Sequence, residues 1–480
     1  MDVHLTIHGR QGLAGQIYRQ LRAGVMDGRL APGQRLPSTR KLALQLGVSR
    51  KTTLDVFEQL IAEGYLRSRA GDGTFVADAM TRLAPPPPKP ATSPAMGAIW
   101  EAMEGALPMT PTVTPPAYDF VGGVTDKGLF PFDQWRRCVS HALRVQARGR
   151  GAYHDPAGEQ ELRLAVARYL AFSRAVVSDW QDVIITQGAQ QALDLLARIA
   201  LRPGDVIAME DPGYPPARII FAVLGAQVVP VPVDEEGLVV DALPANARMV
   251  YVTPSHQFPL GMPMSLERRL ALLEWAQRHG VLVAEDDYDS EFRFEGRPME
   301  SLKSLDTAGV VAYVGTFSKT IFPELRVGYV IPPAPLGLAL RRAKQVGDWH
   351  SCTMTQTALA KFMLDGYFAK HLRRMHKEYA ARRTALLEHL RGDLAPWLTP
   401  LPCAAGIHLV AVLRAPHDEA DVIRRAAAES VGLYGTAGMF ASEAPRPGLL
   451  FGYGGIGVAA IHTGLGRLAN VLAGQHRGTA

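Results

Sequence analysis

Near the start of the chain, apolar residues recur at helical spacing. Ile17, Leu21 and Val25 lie four apart, which predicts a helix with one buried stripe. Ser38 stands as an N-cap before Leu42 and Leu46, and Gly47 marks a turn. Ser49 then caps a second helix that puts Thr53, Val56, Phe57 and Leu60 on one face. Tyr65-Leu66-Arg67-Ser68-Arg69, Gly71-Asp72-Gly73 and Thr74-Phe75-Val76 follow, and read as a short hairpin. That order over residues 13–76 is the order of a winged helix-turn-helix. Further on the pattern changes. Short apolar runs at 183–186, 205–209, 227–233, 248–252, 281–284 and 310–314 read as buried strands. Helical patterns at 190–200 and 266–279 fall between them. The alternation predicts an α/β domain with a mostly parallel sheet wrapped by helices. A long helical stretch near 362–390 precedes what reads as a smaller α+β lobe in the last hundred or so residues.

Between the two patterns lies a proline-rich segment. Pro85-Pro86-Pro87-Pro88-Lys89-Pro90, Ser93-Pro94 and the stretch from Pro111 to Pro116 predict an extended, semi-rigid linker. A short helical turn over 99–107 is compatible with it. The expected division is a first domain at 1–78, a linker at 79–117 and a second domain at 118–480. The length of 480 residues suits two domains, and 47% hydrophobic content suffices for a large core.

Charge separates the two further. The formal net charge is +5. Up to Asp78, eleven arginines and lysines stand against seven acids, so nearly all of the excess lies in the first domain. A polyanion-binding surface is expected there, and a nearly neutral small-molecule domain beyond it. Arg50, Lys51 and Thr52 occupy the first turn of the helix that would enter the DNA major groove. Arg35, Arg40, Arg67 and Arg69 add charge within reach of phosphates, and Gly73 and Thr74 belong to the wing. Cys138, Cys352 and Cys403 are far apart and show no metal spacing. Together with the lack of a signal-peptide pattern at Met1-Asp2-Val3-His4 and of a membrane-length apolar run, this leads to the expectation of a cytoplasmic protein, without metal or membrane.

Candidate chemistry gathers at the strand ends. Thr316-Phe317-Ser318-Lys319 closes the 310–314 run, and Arg326 follows seven residues later. A lysine so placed suits an imine to pyridoxal phosphate, with the two hydroxyls and the guanidinium on the phosphate. Asp286 and Tyr288 arrive where the 281–284 run ends. A carboxylate there could keep the pyridine nitrogen protonated, and Tyr288 could bond the ring's phenolic oxygen. A solvated acidic turn or a magnesium site would carry the same residues. Gly188-Ala189-Gln190 joins a strand to a helix whose first amides could hold a phosphate, as an ordinary βα turn would without one. Tyr214 could stack on a flat ring or lie free on a loop. Tyr153 by itself says little.

Residues 34–76 resemble the winged helix of the GntR family of bacterial regulators, through Leu36-Pro37-Ser38-Thr39-Arg40, Leu46-Gly47-Val48-Ser49-Arg50, Glu63-Gly64-Tyr65-Leu66 and Gly73-Thr74-Phe75-Val76. Residues 118–480 resemble a fold-type I aminotransferase. The joined arrangement resembles the MocR/GabR subfamily, through residues 286–293, residues 253–259 and Ser318-Lys319-Thr320. The resemblance implies pyridoxal phosphate held as an internal aldimine on Lys319, with Asp286 on the ring nitrogen, Tyr288 on the ring oxygen and Tyr214 on the ring face. It implies a phosphate held by Gly188, Ala189, Gln190, Thr316, Ser318 and Arg326, and a homodimer in which Tyr153 reaches the other subunit's phosphate. It further implies operator DNA as one partner and a small effector as another. Two departures stand out. Aminotransferases place an asparagine near the ring oxygen; this chain has Phe258-Pro259-Leu260-Gly261, leaving His256 or Gln257 to substitute. They also use a late arginine for the substrate carboxylate; the stretch Gly448-Leu449-Leu450-Phe451-Gly452-Tyr453 has none, and Arg446 is out of register. The expected function is a transcription regulator sensing pyridoxal phosphate itself, or an amine or amino acid that reacts at Lys319. A working aminotransferase with an accessory DNA-binding head is the competing reading.

Overall fold

The structure is a computed structural model that describes residues 5–7, 9, 11–78, 99–100, 114–296, 299–442 and 446–474. The chain divides into two compact units, 1–98 and 99–480. Of the linker expected at 79–117, residues 99–100 and 114–117 are described and the rest lies outside the described residues, as does the turn expected over 99–107 past residue 100.

In the first unit, α1 (Leu13–Met26), α2 (Thr39–Leu46) and α3 (Arg50–Ala62) precede β1 (Leu66–Arg69) and β2 (Gly73–Val76). Ile17, Leu21, Leu42, Val56, Leu60 and Val76 form its core. Ser38 accepts a bond from the Lys41 amide and Ser49 one from the Thr52 amide, so both helices start where a side chain satisfies an otherwise orphaned N–H. Gly47 ends α2 at φ 64°, a left-handed conformation that a side chain would strain. β1 and β2 pair antiparallel, Leu66 opposite Val76.

The second unit is built on an eight-stranded sheet. After a short β3 (Tyr118–Asp119) come β4 (Ile184–Thr186), β5 (Val206–Asp211), β6 (Gln227–Asp234), β7 (Gly237–Leu238), β8 (Ala247–Val252), β9 (Leu282–Asp287), β10 (Val311–Thr316) and β11 (Gly328–Ile331). Their order is β4-β11-β10-β9-β8-β5-β6-β7. The pairs from β10 to β6 are all parallel, while β11 and β7 run antiparallel to their neighbours. β9 and β10 are buried along their whole length, the burial expected of strands covered on both faces. A second sheet joins β12 (Leu398–Pro400), β13 (His408–Leu413), β15 (Tyr434–Gly435) and β16 (Gly448–Gly452), while β14 (Val431–Gly432) pairs with β3. The α/β architecture expected from the alternating pattern is present.

Two elements differ from the pattern. The strand read at 281–284 continues through Asp287, with Glu285, Asp286 and Asp287 inside the protein. Each acid finds a distant partner, so the charges do not end the strand. Glu285 accepts the Leu302 and Lys303 amides at 2.8 Å each; Asp287 accepts from Arg174 at 2.7 Å and from the Tyr313 hydroxyl at 2.6 Å. The stretch near 362–390 is two helices, Thr353–Leu364 and Tyr367–Arg391, broken at Gly366 with φ 77°. Among the described residues no helix is long and apolar enough to cross a membrane.

Candidate functional site

A cavity of about 630 Å³ opens where the parallel strands end, lined among others by Tyr214, Asp286, Tyr288, Ser318, Lys319 and Arg326. Such crevices lie at the carboxyl ends of strands in open α/β sheets. The turns after β4, β5, β8, β9 and β10 each deliver a residue to the cavity, which explains how positions a hundred residues apart converge.

Lys319 Nζ donates to the Gly123 carbonyl at 2.8 Å. Gly123 has φ 76°, and a Cβ there would lie 2.5 Å from Nζ, so only glycine leaves the amine its place. Burial pulls the ammonium below the usual lysine range, against the opposing charges of Asp289 and Asp286. An amine so placed is more readily neutral and nucleophilic.

Asp286 has two unlike oxygens. Oδ2 accepts from the Tyr251 hydroxyl at 2.8 Å. Oδ1 is buried without a hydrogen-bond partner. Burial pushes the carboxyl up to about 7, although the Tyr251 bond pulls it down. A buried oxygen left unsatisfied is costly, and the N–H of a pyridinium ring would supply what it lacks. The donor set of the cavity therefore fits pyridoxal phosphate.

The Tyr288 hydroxyl donates to the His256 carbonyl at 2.9 Å and lies 3.0 Å from His256 Nδ1. That nitrogen also meets Asp289 Oδ1 at 3.0 Å. Burial opposes the charged imidazole, but Asp289 and Cys403 outweigh it and hold His256 up at about 10. His256 thus stands behind Tyr288, and the cavity wall does not include it. Gln257 is also turned away: its Nε2 donates to the Pro212 and Phe258 carbonyls at 2.7 Å each. Phe258 itself lines the cavity. Tyr214 also lines it, edge-on to Phe258 with ring centroids 5.3 Å apart.

Another part of the cavity wall carries groups that could hold an anion. The helix Ala189–Ala200 begins after Gly188, whose φ is 80°, and Ala189 and Gln190 line the cavity with Thr316 and Ser318. A Cβ on Gly188 would lie 2.8 Å from Arg326 Nη2. That guanidinium donates to the Gln187 carbonyl at 2.7 Å. Thr316 Oγ1 donates to Ser318 Oγ at 3.0 Å. Helix amides, hydroxyls and a guanidinium lining one cavity could hold a phosphate. Tyr153 is elsewhere: its exposed ring packs on Trp349 with centroids 4.3 Å apart. Arg446 is exposed and outside the cavity wall, whereas Leu450 of β16 is part of it.

Tyr251, Gly123 and Asp289 belong to the site and were missed from sequence. Tyr251 carried a usable signal, since a tyrosine within an apolar strand must find a partner for its hydroxyl.

In the first unit, Arg50 and Lys51 are exposed on the first turn of α3, with Thr52 beside the Ser49 hydroxyl at 2.8 Å. Arg40 and Arg35 are exposed, and Arg35 packs against Gly73 of the wing. Arg69 lies over the Phe75 ring at 5.2 Å. Arg67 is ion-paired with Asp78, so part of its charge is neutralised within the unit.

Residues 13–76 match the family described as bacterial regulatory proteins, gntR family, and residues 125–446 match aminotransferase class I and II. The chain is 39% identical to the probable rhizopine catabolism regulatory protein MocR of Rhizobium meliloti, over 95% of this chain and 93% of that protein. The chain belongs to the MocR-type GntR regulators. Its similarity to the pyridoxine biosynthesis transcriptional regulator PdxR of Corynebacterium glutamicum is 32% identity over 95% of this chain and 94% of that one. Among solved structures, the α-aminoadipate aminotransferase LysN of Thermus thermophilus, complexed with N-(5'-phosphopyridoxyl)-L-leucine, has a TM-score of 0.69 at 28% identity. That match covers 75% of this chain and 92% of LysN. A MocR-type regulator binds DNA through its GntR head, in which Arg50 and Lys51 of the first turn of α3 are exposed.

Proposed function

We propose that this MocR-type transcription regulator reads the state of its cavity through Lys319 and answers at operator DNA. Its cofactor is pyridoxal phosphate. When bound, the cofactor supplies an electrophilic carbon and an electron sink. Lys319 would provide the amine for the covalent bond, Asp286 the partner of the ring nitrogen and Tyr288 a bond to the ring oxygen. Tyr214 would stack on the ring, and Gly188, Ala189, Gln190, Thr316, Ser318 and Arg326 would hold the phosphate. His256, tied to Asp289, would orient the Tyr288 hydroxyl from behind. The signal would be pyridoxal phosphate itself or an amine that takes the place of Lys319 on it. Its differential contacts would bias the protein between DNA-binding states. The exposed Tyr153 ring agrees with a homodimer in which that residue serves the other subunit.

The observation that carries this reading is the unpartnered oxygen of Asp286 in the wall of the cavity that also holds the Lys319 amine. Borohydride reduction of the loaded protein should trap the cofactor on Lys319. In Lys319→Ala the trapped label should disappear, and DNA affinity should no longer respond to added pyridoxal phosphate. Trapping on another lysine, or an unchanged DNA response in the variant, would overturn the reading.

A further inference from the structure

We infer that the far end of the cavity selects an amine without a carboxylate, one whose second hydrogen-bond-donating group reaches Asp119. The inference rests on the proposed attachment of the cofactor at Lys319 and names the class of effector that would displace that lysine.

Asp119, Val121, Gly122 and Gly123 form one wall of the cavity. Gly123 holds the Lys319 amine through its carbonyl. Asp119 lies four residues back, hence at most about 14 Å along the chain. Its Oδ1 accepts from the Tyr434 hydroxyl at 3.0 Å, and both side chains line the cavity. Burial pushes the Asp119 carboxyl up, only partly offset by that hydroxyl and by the Val121 amide, so an added donor would be welcome there.

Between these ends the wall is apolar, with Val121, Met439 and Leu450. Leu450 stands in the stretch where aminotransferases carry their carboxylate-binding arginine, and its Cδ2 lies 2.8 Å from the place of a Cβ on Gly122. Among the described lining residues, the lysines and arginines are Lys319 and Arg326, and Arg326 is turned to Gln187 beside the phosphate end. His408 also lines the cavity, but burial and the neighbouring His256 press it down to about 3, leaving it neutral. A carboxylate entering here would be desolvated against Leu450 and would meet Asp119 as a like charge. An ammonium or hydroxyl would gain a bond to an acid already in place.

The full-length protein, saturated with pyridoxal phosphate, can be titrated with putrescine, 4-aminobutanol and 4-aminobutyrate, which share a four-carbon spacing. The readout is the change in cofactor absorbance. The first two should act at concentrations roughly tenfold or more below the third. Asp119→Asn should erase most of that advantage for putrescine, and Leu450→Arg should shift preference towards 4-aminobutyrate. The inference is overturned if 4-aminobutyrate acts as well as putrescine on the wild type. It is also overturned if Asp119→Asn leaves the ratio unchanged, or if no amine moves the spectrum. A protein that carries no trappable cofactor at Lys319 would instead overturn the reading beneath it, and this inference with it.

Discussion

Asp286 meets the protein through one oxygen and leaves the other unsatisfied, and that asymmetry has a measurable cost before any cofactor binds. Burial raises its pKa from 3.8 to about 7. Across that interval the folded chain keeps a proton that the unfolded chain has released. Stability of the cofactor-free protein should therefore fall as pH rises through the window, by up to roughly 1.4 kcal/mol per pH unit for one group. Glu210, Glu285 and Glu291, each also pushed up to about 7 chiefly by burial, act in the same direction. Asp286→Asn removes one share of the effect. Its melting temperature should drop less than that of the wild type between about pH 5 and pH 7. Equal drops would mean that Asp286 is already ionised in the folded protein. Tyr251→Phe tests the other oxygen: without its donor, Oδ2 joins Oδ1 in lacking a partner, and the loss should be about 1–3 kcal/mol of stability, read by denaturant unfolding. A variant as stable as the wild type would show that the Tyr251 bond contributes nothing net.

At the scale of elements, the sequence was most readable where local chemistry and local structure coincide. Ser38 and Ser49 are caps because each precedes an amphipathic helix, and both side chains make the cap bond. Lys319 and Asp286 stood out because polar residues abruptly follow or interrupt apolar runs. What stayed hidden depended on distant partners. Strand β9 keeps three acids inside because Arg174, Tyr251, Tyr313 and the amides of residues 302 and 303 come from elsewhere in the chain, and no window of sequence around 285–287 contains them. Gly123 meets Lys319 across 196 positions, and Tyr251, whose buried hydroxyl called for a partner, finds it in Asp286 35 positions on. In the head, the elements separate stability from recognition. Ser49→Ala deletes the cap of α3 and should cost about 1 kcal/mol in unfolding experiments. Arg50→Ala and Lys51→Ala change exposed side chains on the same turn and should leave stability nearly intact while weakening operator binding. A base-reading arginine would account for about 1–3 kcal/mol; a phosphate contact would lower the salt slope by about one. If both variants bind operator like the wild type, α3 is not the reading helix.

The whole molecule joins a DNA-binding head to a domain folded like an enzyme, and the two functions make opposite demands on the cavity. Turnover requires Lys319 to shuttle protons repeatedly while the substrate is held with its reacting bond across the ring face. Aminotransferases fix that orientation with an arginine on the carboxylate; here the corresponding stretch presents Leu450 to the cavity, and Arg446 lies outside. Phe258 lines the cavity with an apolar ring, and Gln257 is held by backbone carbonyls. Under the proposed sensing role less is needed: an amine would have to reach the site that Lys319 and the cofactor would form and stay long enough to shift a binding equilibrium. Slow departure even helps, because a ligand consumed by turnover cannot hold the protein in one state. Small amines should therefore change the cofactor's absorbance without sustained production of carbonyl compounds or of the aminated cofactor. Multiple turnover with a common amino acid and a keto acid, at the roughly 1–10³ per second usual for enzymes, would reassign the second unit as a working aminotransferase. The head would still bind DNA through residues that the cavity does not share.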